Sequence, residues 1–248
     1  MIKYVWLVPV FPLLGFLFNG LLGRKVEKRW VDIVGPGCVG LSFAWVLGVF
    51  WEYLHLPANA KPVEVKVFDW IVSGKFVAEA AFLVDPLSLV MLLVVSGVGF
   101  LIHIYSVGYM GDDPGYPRYF SYLNLFVVNM LILVMANNFL LMFVGWEGVG
   151  LCSYLLIGYW YEKKSASDAG MKAFVVNRIG DFGFLLGIFL IFYTFGTINF
   201  LKVFAQAASF PVGSEIITLI TLLLFVGATG KSAQIPLYTW LPDAMEGP

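Results

Sequence analysis

Residues 169–195 read AGMKAFVVNRIGDFGFLLGIFLIFYTF. The run exceeds the roughly 20 apolar residues that cross a bilayer hydrocarbon core, yet Lys172, Arg178 and Asp181 stand inside it. A helix of this length and hydropathy is read as a membrane span, and its charges become the residues to explain.

The same reading, carried outward, predicts helices over 4–22, 31–53, 85–109, 119–135 and 139–160 upstream, and an interrupted one over 214–241 downstream. The fold class is all-α: a polytopic transmembrane helix bundle of about seven spans, the last broken and truncated. Composition agrees. Of 248 residues 60% are hydrophobic and 12% charged, with a mean hydropathy of +0.87, whereas soluble domains run near half apolar and about a quarter charged. A net charge of -1 excludes a basic nucleic-acid binder. Trp30, Trp51, Tyr53, Tyr105, Tyr119, Trp160 and Tyr161 fall at helix ends, where interfacial anchors belong.

Residues 5–22 are preceded only by Lys3, and the basic cluster Arg24, Lys25, Lys28 and Arg29 comes after them. That order fits a retained first span better than a cleaved leader. The sizeable polar connection, 54–84, contains the alternating run 63–72, a Ser73-Gly74 turn and a second apolar-rich run, 76–83. This pattern predicts a short β-hairpin between helices two and three. Lys and Arg density favours an outside N-terminus. Inner loops then hold Arg24, Lys25, Lys28, Arg29, Arg118, Lys163 and Lys164, while Lys3, Lys61, Lys66, Lys75 and Lys202 are spread over longer outer segments. The end, 240–248, reads as neither a helix end nor a polar tail, and the expectation is a fragment of a longer protein.

Two motifs imitate nucleotide sites. Residues 35–40, GPGCVG, satisfy the letters of a dinucleotide fingerprint, and 227–232, GATGKS, resemble the end of a phosphate loop. The first lies within a span with no preceding strand, and the second has Phe225 where the first glycine is required. Gly183 and Gly187 form a G-x-x-x-G pair read as helix packing. His103, the histidine within a span, reads as a packing residue, and His55 lies at a membrane edge. Cys38 and Cys152 have neither metal nor disulfide spacing.

Charges set at depth carry the functional signal. At 1.5 Å per residue, Glu147 lies about 12 Å into its predicted helix, and Arg178 and Asp181 about 14 and 18 Å into theirs. Lys172 is near enough to the inner end to snorkel. Each midplane charge costs roughly 2.5–3.5 kcal/mol. Glu147, Arg178, Asp181 and Lys231 together then cost on the order of 10–14 kcal/mol unless compensated, comparable to the whole stability of a domain. Arg178 and Asp181, three apart, can pair on one helical face. Glu147 and Lys231 have no opposite charge within reach on their own helices and must look across the bundle. Gly227, Gly230 and Pro236 interrupt the helix around Lys231. Broken helices at membrane depth line enclosed or watery cavities, and transporters place ion sites there.

Residues 85–88 (DPLS), Trp146-Glu147-Gly148 with 152–154 (CSY), 177–181 (NRIGD) and 230–245 (GKSAQIPLYTWLPDAM) closely resemble the subunit L, or subunit 5, family of NADH-quinone oxidoreductase, respiratory complex I. That family is akin to the large subunits of Mrp-type cation/proton antiporters. The resemblance implies about fourteen core helices with two inverted five-helix repeats, each holding a broken helix. On that reading 1–118 holds N-terminal helices with an outer-face hairpin (54–84), and 119–248 holds the first antiporter-like repeat, cut within its broken helix. Glu147 matches the family's glutamate of the fifth helix, Lys231 its lysine of the seventh, and Arg178 and Asp181 its charged pair of the sixth.

The expected function is therefore that of a proton-translocating membrane subunit of a NADH-quinone oxidoreductase, in a bacterial inner membrane, with Glu147, Lys231, Asp181 and Arg178 moving protons. Flavin, iron–sulfur clusters and quinone are expected in partner subunits, and no cofactor or metal in this chain. Its partners would be other membrane subunits of the oxidoreductase, the lipid bilayer and protons. A Na⁺/H⁺ antiporter subunit of the Mrp type is the nearest alternative. A non-transporting scaffold of a redox complex is the alternative of another class.

Overall fold

A computed structural model describes all 248 residues. Its helices are α1 (Leu7–Leu21), α2 (Lys28–His55), α3 (Pro86–Tyr109), α4 (Tyr116–Met135), α5 (Phe139–Ile157), α6 (Lys164–Phe195), α7 (Phe200–Ala207) and α8 (Glu215–Lys231). Strands β1 (Val63–Ser73) and β2 (Phe76–Val84) pair between α2 and α3. Six helices are long and apolar enough to cross a membrane; α8, with 17 residues, is the shorter seventh. In lipid every backbone N–H and C=O must find a partner inside the protein, and helices satisfy that condition locally. The predicted hairpin is present, with Gly74 at φ 57° in its turn, a backbone region open to glycine.

Contacts divide the chain into two compact units: Met1–Phe68 with Ala80–Ala136 and Leu141–Cys152, and Asp69–Glu79 with Asn137–Leu140 and Ser153–Pro248. In the first, α1 packs on α2 and α4, and α3 packs on α2 and α4. Val5, Val8, Val39, Val46, Val49, Leu92, Leu131 and Met135 are buried at its centre. The Ser42 hydroxyl donates across α1 and α2 to the Val8 carbonyl at 2.7 Å. At one end the loops after α1 and α3 are tied together. Lys28 Nζ donates to the Gly111 carbonyl at 2.5 Å and lies 4.7 Å from the Tyr116 ring centroid, whose hydroxyl donates to Asp32 at 2.6 Å.

The motif at 85–88 is a helix start. The Ser88 amide donates to Asp85 Oδ1 at 2.7 Å, the Asp85 amide donates to Ser88 Oγ at 2.8 Å, and Pro86 occupies the first turn. This reciprocal cap satisfies backbone donors that α3 would otherwise leave open. Two expected interfacial anchors are instead interior. Tyr119 is buried and shares a 3.1 Å hydrogen bond with Ser106, and Tyr53 is buried beneath Lys61, whose Nζ is 4.6 Å from its ring centroid.

In the second unit α8 runs along α6. Past the end of α6 the chain pairs with the start of α5: the Phe139 amide donates to the Ile198 carbonyl at 3.1 Å, and the Phe200 amide to the Asn137 carbonyl at 2.9 Å. The α7 helix was not predicted. Asn199 caps it, its Oδ1 accepting from the Lys202 amide at 3.1 Å.

Candidate functional site

Glu147 stands on α5 between two glycines that bring this helix onto the α4 backbone. A Cβ on Gly145 would lie 2.6 Å from the Leu133 amide nitrogen and 2.8 Å from the Asn129 carbonyl oxygen, and one on Gly148 would meet the Asn129 side-chain amide. Only a residue without a side chain permits that approach. Asn129 donates to the Leu125 carbonyl at 2.9 Å and, more weakly, to Cys152 Sγ at 3.7 Å. Glu147 is half-buried beside this contact. The spacing of Gly145 and Gly148 around the Trp-Glu pair was the available sequence signal for it.

On α6, Arg178 Nη1 stands 3.9 Å from Asp181 Oδ2. The two ends differ sharply, since the Asp181 side chain is 2% exposed and that of Arg178 45%. The Arg178 guanidinium also lies 4.7 Å from the Phe174 ring centroid, within cation–π range. At 1.5 Å per residue α6 is about 48 Å long, and this pair falls at its midpoint.

Three glycines of α6 receive α8. A Cβ at Gly180 would stand 3.1 Å from the Val226 carbonyl oxygen and 3.2 Å from Gly230 Cα; one at Gly183 would meet Val226 Cγ1 at 2.7 Å, and one at Gly187 would meet Leu224 Cδ2 at 2.9 Å. From the α8 side, Gly227 receives Phe184 and Gly230 receives Gly180. Gly227 and Gly230 therefore serve packing inside α8 and do not break it. The helix ends at Lys231, five residues before Pro236. Ala233 turns into the left-handed region at φ 50°, and the Ser232 and Gln234 amides donate to the Ala228 and Thr229 carbonyls, each at 2.9 Å. Such a turn closes the orphaned last carbonyls of a helix. Lys231, half-buried, is thus the last helical residue, one place from a seam that meets α6 at its midpoint.

Beyond it, 232–248 is non-helical except for a 3-10 turn, Pro242–Glu246, that lies against α6. Trp240 Nε1 donates to the Gly230 carbonyl at 3.0 Å, and Trp240 and Ala244 pack on Ile157, Ala169 and Ala173. Lys172, expected to reach for the membrane surface, instead holds Asp243 at 2.7 Å, because the returning chain brings a carboxylate to it. The two decoy motifs are packing surfaces: Gly35 lies against Phe120, Gly40 against Phe100, and 227–231 lies within α8. Of the four proposed proton-moving residues, Arg178, Asp181 and Lys231 belong to the second unit and Glu147 to the first.

These features define a class: a multi-pass membrane protein whose long apolar helices carry charges at mid-length and whose last α-helix, α8, ends at a lysine followed by irregular backbone. The family model described as NADH:quinone oxidoreductase/Mrp antiporter, TM, matches residues 136–248, and that described as NADH-Ubiquinone oxidoreductase (complex I), chain 5 N-terminus, matches 70–120. The chain belongs to this family of NADH:quinone oxidoreductase and Mrp antiporter membrane proteins. It is 46% identical over 246 residues to NADH-quinone oxidoreductase subunit L of Mycobacterium tuberculosis, covering 99% of this chain and 38% of that protein. It is also 46% identical over 242 residues to NADH-ubiquinone oxidoreductase chain 5 of Metridium senile, covering 98% and 40%. The chain thus spans about two-fifths of the length of these curated relatives. Its fold matches a chain of the Mrp complex from Dietzia sp. DQ12-45-1b with a TM-score of 0.83 at 24% identity, covering 99% of this chain and 25% of that one. A chain of the archaeal membrane-bound sulfane sulfur reductase matches at 0.80 and 20% identity, covering 98% and 47%.

Proposed function

We propose that the chain forms part of a proton-translocating membrane subunit of a NADH-quinone oxidoreductase. The observation that supports this best is the juxtaposition on α6: a buried carboxylate, Asp181, sits at the middle of a span, where α8 approaches closely and ends in Lys231. A lysine at a helix break exchanges protons more readily than one inside a continuous apolar helix, since irregular backbone at depth lines protein or water. Glu147, held at the α4–α5 contact, supplies a third ionisable group. Redox chemistry, with its flavin, iron–sulfur clusters and quinone, takes place in partner subunits. The chain resides in a bacterial inner membrane with its N-terminus outside, alongside other membrane subunits of the complex.

The test uses the full-length subunit in membrane vesicles energised by NADH. Glu147→Gln and Lys231→Arg are expected to assemble yet lower proton translocation per complex by about tenfold or more, since arginine stays charged where lysine can release its proton. Wild-type translocation in assembled Lys231→Arg complexes defeats the switching role and leaves a fixed structural cation. The family description also names Mrp antiporters, so Na⁺-driven proton exchange without NADH is the outcome that favours that second reading.

A further inference from the structure

The chain after Lys231 does not hang loose from α8. Residues 232–248 continue along α6 toward its N-terminal end: Gly230 lies at Gly180, Asp243 reaches Lys172, and the Ser165 hydroxyl donates to Glu246 at 3.2 Å. Gly247 closes the far end, where a Cβ would stand 2.7 Å from the Leu156 carbonyl oxygen. Along α6, Lys172 is about 12 Å from the Gly180 level at 1.5 Å per residue. That distance lies inside the roughly 15 Å half-thickness of a hydrocarbon core. The two side chains are 43% and 44% exposed, so the pair acts with the packing and hydrogen bonds beside it rather than through burial.

We infer that Lys172 is a positioning residue for Lys231, acting through Asp243 to fasten the 232–248 segment to α6. This deepens the reading of Lys231 as a proton-exchanging group and rests on it. A helix that ends in irregular backbone needs external fixing. The described fastenings are the Trp240 bond to Gly230, the apolar packing of Trp240 and Ala244, the Ser165–Glu246 bond and the Lys172–Asp243 pair. Among these, Lys172–Asp243 is the charge pair. Trp240 then transmits the fixing to the residue preceding Lys231. With the pair broken, the segment swings from α6, the turn after Lys231 loosens, and the lysine changes its access to water.

The experiment uses the full-length chain in its membrane complex, in a background where Cys38, Cys152 and every other cysteine of that chain are replaced and Lys231→Cys is introduced as the reporter. Its rate of reaction with a small charged methanethiosulfonate is compared in the parent, in Lys172→Glu and in the exchanged pair Lys172→Asp with Asp243→Lys. Lys172→Glu should change that rate by about tenfold, and the exchange should bring it back to within about threefold of the parent, as a direct pairwise coupling requires. Should Lys172→Glu fail to assemble, Lys172→Gln gives the same comparison with a smaller change. Equal rates in all the chains, or an exchange that restores nothing, overturn the inference. Proton translocation is measured in parallel with Lys231 intact, where it should fall with the single reversal and return with the exchange. Rates that shift as expected while translocation stays constant would leave the fastening intact and defeat Lys231 as the proton carrier.

Discussion

Arg178 and Asp181 show how one ion pair can join two unlike environments. Asp181 is 2% exposed while Arg178 is 45% exposed and shares itself with the Phe174 ring. Neutralising Arg178 removes a compensating charge from a buried carboxylate, a change of the kind that costs about 3–5 kcal/mol. Asp181→Asn leaves a cation that is better placed to find other partners, so it should cost less. A double-mutant cycle on thermal stability should give a coupling of at least about 1 kcal/mol. A coupling near zero would show that the two residues answer to different partners. Their i, i+3 spacing made the pairing legible in sequence. The Lys172–Asp243 pair was not legible, since 71 residues separate its members and only the return of the chain along α6 joins them.

The contrast between glycines decides how the helices approach one another. Gly145→Ala would drive a methyl into the Leu133 and Asn129 backbone, whereas a Cβ at Gly37 meets nothing within 4 Å. Forced overpacking costs typically about 1–3 kcal/mol, so Gly145→Ala should lower the melting temperature of the purified protein. Gly37→Ala should leave it unchanged or raise stability by about 0.5–1 kcal/mol, because glycine is the weaker helix former. The reverse ranking would refute the close α4–α5 approach. At this scale the sequence was read well where periodicity is long or strict: the spans, and the alternation of β1. It was read poorly at the end of the last span, where Gly227, Gly230 and Pro236 suggested the break. The helix instead stops at Lys231 through a left-handed Ala233, with both glycines spent on packing. The α7 helix escaped because eight residues are too few to span a bilayer, although Asn199 before an amphipathic run offered a capping signal.

Over the whole molecule, orientation is the property that sequence and fold test together. Lys28 ties the loop after α1 to the loop after α3, so these two connections share one end of the first unit; under the proposed orientation, with the N-terminus outside, that end faces inward. In a cysteine-free background, the thiol introduced by Lys75→Cys in the hairpin turn should react with an impermeant reagent in intact cells. The thiol introduced by Asp112→Cys should react only after permeabilisation. Exchange of the two results reverses the orientation, and equal labelling of both in intact cells removes α3 as a span.

The glycine seam between α6 and α8 also bears on biogenesis. The 17 residues of α8 reach only about 26 Å, and the irregular backbone that follows exposes groups that lipid does not satisfy. Such a segment stands at the short end of what crosses a bilayer, and its packing on α6 adds to its hold there. At roughly 5–20 residues per second, the ribosome completes Lys231 some 2–7 s after Phe195, so α6 is synthesised before the newcomer emerges. A surface on α6 that receives α8 is then available to the newcomer, and a bulkier residue at Gly180 or Gly183 should weaken the seating of α8, read as greater protease access to the 208–214 loop.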